Sequence, residues 1–96
     1  MGYKEELEEL RNVIDITDDV ILNSVIMRID LAMEIGVLKK QYGITEMSQD
    51  RRKEILDRVI KKSEEQSTPT YLTKKIFEVL IDHSVELQQM ILKSKG

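Results

Sequence analysis

The chain has 96 residues, with 15 Lys and Arg against 18 Asp and Glu for a net charge of -3, no Cys, no Trp, one Pro and four Gly. This length supports one domain, residues 1–96, with a modest core; the missing Cys excludes disulfides and thiolate nucleophiles or ligands, and so little Pro and Gly argues against a turn-rich β fold. The charge balance gives no general attraction to nucleic acid or anionic membranes, so any anion site has to be built locally from a few placed cations.

The first predicted element runs from Tyr3 to Tyr42 without a Pro, and Gly36 is its one internal Gly. Every seventh residue from Leu7 reads Leu7, Ile14, Ile21, Arg28, Ile35 and Tyr42, beside a companion row of Leu10, Thr17, Ser24, Leu31 and Leu38. That is helical periodicity, and Gly43 is its expected stop. A helix of about 38 residues is about 57 Å long, whereas a compact monomer of this size has a radius of gyration of about 12 Å. Two shorter helices cannot cover such a seam end to end, so its far half is expected to pack on a second copy. A bend or break at Gly36 is the alternative.

The second helix is predicted to begin near "EMSQDRRKEILDRVIKK", with Ser48 as N-cap and Asp50 adding negative charge in the first turn. Ile55, Leu56, Val59 and Ile60 form its apolar face, and Arg51 and Arg52 extend that stripe one turn toward the N-terminus. "SEEQSTPT" reads as a linker, with Thr68 as a cap and Pro69 at the first helical position. The third helix runs to about Lys93, with Leu72, Ile76, Phe77, Leu80, Ile81, Ser84, Leu87, Gln88 and Ile91 on its inner stripe. His83 lies about 100° off that stripe and reads as a surface residue.

Several polar side chains fall on these apolar faces. Arg28 sits among Ile and Leu; Lys39 follows three turns later with only about 20° of rotation; Arg11 lies on the flank of the same seam. A buried cation is costly unless paired, yet the seam rows contain no carboxylate and Asp18 on the flank is the one acid nearby. Each has an ordinary explanation alone: snorkelling for Arg11 and Lys39, a salt bridge to Asp18 or Glu34 of another chain for Arg28, local bonding for Ser84 and Gln88, and solvated first-turn charges for Arg51 and Arg52. Together they aim several donors at one core with too few acceptors. A small dianionic ligand satisfies that excess, with Arg as a two-point carboxylate clamp and Lys as a point charge.

The stretches "ELRNVIDITDDVILNSVIMRIDLAMEIGVLKKQYG", "DRRKEIL" and "IDHSVELQQ" resemble, in joint spacing over nearly the whole chain, the all-helical chorismate mutases. The resemblance implies an all-α fold of three helices per chain, one very long, in an intertwined homodimeric helical bundle with two active sites shared between subunits. It implies rearrangement of chorismate to prephenate in aromatic amino-acid biosynthesis, with no cofactor and no metal. Arg11 would reach into the partner's site, while Arg28 and Arg51 complete the cationic surroundings of the substrate's two carboxylates. Lys39 and Gln88 would donate to the ether oxygen of the breaking bond, and Ser84 would help hold a carboxylate.

Two positions depart from the family pattern. Position 52, usually a Glu that binds the substrate hydroxyl, is Arg52; position 48, often Asp, is Ser48, whose backbone could still serve. The first departure keeps isochorismate-pyruvate lyase, a relative with a similar fold and cationic site, as an alternative. A catalytically silent helical dimerisation module is another. No apolar run approaches the roughly 20 residues of a membrane span, and "MGYKEELEEL" lacks the apolar core of a signal peptide. A cytoplasmic enzyme is therefore expected, standing alone because the chain leaves no room for a fused catalytic domain.

Overall fold

The computed structural model describes residues 2–94, which form three helices and no strand. These are α1 (Tyr3–Gln41), α2 (Gln49–Glu65) and α3 (Thr70–Lys93), the all-α arrangement with one very long helix that the periodicity predicts. Contacts divide the chain into two compact units, one up to Asp30 and one from Leu31 onward, with the boundary inside α1.

Up to Asp30, α1 carries its apolar rows in the open. Leu10, Ile14 and Ile21 expose 64, 57 and 56% of their surface, and no described residue of this stretch is fully buried. Glu5 and Glu6 in the first turn sit favourably on the positive end of the helix dipole. Inside the stretch, the Thr17 and Ser24 hydroxyls donate back to the Val13 and Val20 carbonyls four residues earlier, so these two polar seam residues are satisfied by their own helix.

From Leu31 onward the small core is built from Ala32, Ile55 and Ile81, with Gly36, Ser63 and Gln88 buried beside them. Ala32 and Gly36 lie one turn apart on α1, and Gly36 lets the helices approach closely: a Cβ placed on it would come within 2.9 Å of Ile91 Cδ1 and 3.4 Å of Gln88 Cα. The helix runs through Gly36 unbroken, as the periodicity predicts, so this glycine is a packing position rather than the break of the alternative reading. On α3, Leu72 and Ile76 remain 48% exposed although they lie on the predicted inner stripe.

The helix ends follow from capping chemistry. Gly43 adopts φ +66°, the Ile44 N–H bonds the Lys39 carbonyl at 2.9 Å, and the Gly43 N–H bonds the Lys40 carbonyl at 3.2 Å. This paired pattern closes a helix with a left-handed residue. Ser48 caps α2 as predicted, its Oγ accepting from the Arg51 N–H at 3.1 Å.

Two boundaries differ from the sequence reading. α2 continues through Ser63–Glu65, because Ser63 is buried and its Oγ lies 2.6 Å from the Thr68 hydroxyl and 2.9 Å from that of Thr73. The Thr68 hydroxyl donates back to the Ser63 carbonyl at 3.0 Å, so it does not cap α3. Pro69 takes the N-cap position instead of the first helical one, with its carbonyl accepting from the Leu72 N–H.

Candidate active site

The closing turn of α1 decides where Lys39 points. Because Ile44 bonds back to the Lys39 carbonyl, the chain reverses and lays residues 44–47 beside the Lys39 side chain. The ammonium donates to the Gln88 Oε1 at 2.9 Å, the Glu46 carbonyl at 3.0 Å and the Met47 Sδ at 3.5 Å. None of these acceptors carries a charge. Lys39 is half-buried and Gln88 is 8% exposed, so a full positive charge is held in a partly dry place by neutral groups.

That contact also fixes the Gln88 amide. An ammonium can only donate, so Oε1 faces Lys39 and the two N–H groups of Nε2 face elsewhere. Lys39 and Gln88 together therefore present donors on neighbouring atoms. One turn earlier on α3, the Ser84 hydroxyl donates to the Leu80 carbonyl at 2.9 Å.

The two arginines at the start of α2 diverge, as neighbours about 100° apart on a helix must. Arg51 turns along its own helix to Glu54 at 3.2 Å, both side chains being well exposed. Arg52 crosses to α3 and pairs with Asp82 at 2.5 Å and Glu78 at 3.6 Å, with its side chain 29% exposed. Among the ordinary explanations, Arg52 is a solvated first-turn charge; the structure instead gives it to the protein's own acids. In the other unit, Arg11 donates to Glu8 at 3.0 Å, again between exposed groups. Arg28 is half-buried and is not free.

Of the predicted site residues from Leu31 onward, the structure thus joins Lys39 directly to Gln88, leaves Arg51 in an exposed local pair and diverts Arg52. Exposed pairs of this kind contribute about 0–1 kcal/mol, so Arg11 and Arg51 can exchange their acids for a ligand at little cost. The sequence reading did not find Glu46 and Met47. A backbone carbonyl has no sequence signature, and a loop Met carries none as an acceptor. Glu78 and Asp82 were discoverable as an i,i+4 acidic pair on the third helix.

The family described as "Chorismate mutase type II" matches residues 10–89. This chain belongs to that family. A chorismate mutase of Methanocaldococcus jannaschii is 36% identical over 89 residues, covering 93% of this chain and 90% of that protein. A 4-amino-4-deoxychorismate mutase of Streptomyces venezuelae is 24% identical over 96 residues, covering 100% of this chain and 93% of that protein. Chorismate mutase membership bears out the resemblance drawn from the three sequence stretches, and with it the expectation of an isomerase. No described helix is long and apolar enough to cross a membrane.

Proposed function

We propose that this chain catalyses the rearrangement of chorismate to prephenate, as a homodimer in which each site takes residues from both subunits. The observation that carries the reading is the Lys39 ammonium, bonded among the described residues only to neutral acceptors beside the amide of Gln88. The reaction is pericyclic and uses no nucleophile. It needs the substrate folded so that its reacting ends meet, and holding that conformer supplies part of the acceleration. As the C–O bond breaks, negative charge grows on the ether oxygen; fixed donors from Lys39 and Gln88 stabilise it more than they stabilise the ground state.

In this reading Arg28 and Arg51 bind the carboxylates, Ser84 assists, and Arg11 of the partner subunit completes the enclosure. Ser48 lies at the start of α2 beside Arg51 and contributes through its backbone, its side chain being committed to the cap. Arg52 takes no part in substrate binding, being held by Glu78 and Asp82. The dimer is supported by the apolar rows of α1: a continuous line of half-exposed Ile, Leu and Val exceeds what a lone soluble chain leaves in water. The cysteine-free composition suits a reducing cytoplasm, where we place the enzyme.

The test is to offer the purified protein chorismate and isochorismate separately. Prephenate from the first supports the proposal. Salicylate with pyruvate from the second, without prephenate from the first, makes the chain a lyase instead. Turnover of neither substrate, with no binding of a bicyclic ether dicarboxylate that mimics the folded transition state, leaves a dimerisation module.

A further inference from the structure

An ammonium group has three N–H donors and no acceptor, and Lys39 has three acceptors in reach: Gln88 Oε1, the Glu46 carbonyl and Met47 Sδ. A ligand oxygen can take a full hydrogen bond from Lys39 only if one of these is given up. Giving up Gln88 would part the two donors that have to act on the same oxygen. Giving up Glu46 would release a backbone carbonyl at 3.0 Å, a stronger acceptor than a thioether. The thioether is the weakest acceptor of the set, lies farthest away at 3.5 Å, and packs well without any polar partner.

We infer that Met47 is a positioning residue whose sulfur occupies the place of the ligand oxygen on Lys39 and is displaced when the ligand binds. The inference rests on the reading of this site as the chorismate site. The Gln88 and Glu46 oxygens hold the ammonium on two sides, and the sulfur holds its third N–H in the direction the ligand will need. Met47 is half-buried in the loop between α1 and α2, so its flexible side chain can yield without movement of either helix.

Two measurements test this. In the wild-type protein carrying ¹³C-labelled methionine methyls, titration with the bicyclic ether dicarboxylate should shift the Met47 methyl resonance. That shift should vanish in Lys39→Ala, where no ammonium holds the sulfur. Second, Met47→Gln replaces the sulfur side chain with an amide of similar length whose oxygen competes for the N–H far better. KM for chorismate should then rise by about tenfold, the size of one charge-assisted hydrogen bond. kcat should stay within about threefold, because the competition acts on the free enzyme. A mere disturbance of the loop would instead misplace Lys39 and lower kcat. A Met47 methyl that does not move while the mimic binds overturns the inference, and so does a Met47→Gln variant with KM within twofold of wild type or with its loss in kcat alone. Each of those results leaves the proposed function standing, whereas wild-type protein without mutase turnover removes both.

Discussion

Lys39 and Gln88 are 49 positions apart in the chain and 2.9 Å apart in the structure. Their meeting depends on Gly36, one turn before Lys39, whose missing side chain lets α1 lie against Ile91 and the backbone of Gln88. The proposed donor pair and the packing contact are therefore one feature.

Truncating either partner should be severe. Removing one donor from a developing oxyanion typically costs about 2.7–4 kcal/mol of barrier, so Lys39→Ala and Gln88→Ala should each lose about 10²–10³ in kcat. Steady-state kinetics on chorismate, with helicity and dimer content verified for each variant, check this. Near-parental turnover in both would refute the mechanism.

Gly36→Ala should separate the two donors. Alanine favours a helix by about 1 kcal/mol, but overpacking a closed contact costs about 1–3 kcal/mol. Ile91 Cδ1 can rotate away; Ile91 Cβ at 3.3 Å and Gln88 Cα at 3.4 Å cannot. The variant should lose about 1 kcal/mol net in urea unfolding and lose activity well beyond what that stability change explains.

Ile21→Asp tests the second copy. At 56% exposure a polar substitution in a finished monomer would change stability by no more than about 0.5 kcal/mol. If the α1 rows meet another subunit, the variant should sediment as a monomer or unfold, and wild-type melting should rise with protein concentration.

Ser67 holds φ at 54° after the end of α2, a left-handed conformation that costs a residue with a Cβ about 1–2 kcal/mol. Glycine relieves that cost but gives back part of it as unfolded-chain entropy. Ser67→Gly should therefore stabilise the protein by about 0.5–1 kcal/mol in chemical denaturation, with turnover unchanged because the position lies at the far end of α2 from Ser48.

What could be read from the sequence was what local chemistry decides. The apolar rows of α1, the stop at Gly43 and the cap at Ser48 each depend on residues within a turn or two, so spacing alone recovers them. The three stretches that carry the family likeness were legible for a similar reason, since their residue types recur at fixed intervals. What was not legible depends on partners distant in the chain. A glycine that admits a neighbouring helix and one that breaks its own look identical in a string of letters, which is why a break at Gly36 stood beside the unbroken helix as the alternative. Arg51 and Arg52 also read alike, but Glu78 and Asp82 on α3 draw one of them away. The Thr68–Pro69 boundary slipped by one residue because the Thr68 hydroxyl found the Ser63 carbonyl of the preceding helix.

The Arg52 tie to Glu78 and Asp82 makes the charges at three positions depend on one another. Arg52→Glu, which reinstates the carboxylate usual in the family, would gather three anions at one crossing of α2 and α3. Lineages that carry an acid at position 52 should thus show neutral or basic residues at 78 and 82, and those with an arginine should keep at least one acid there.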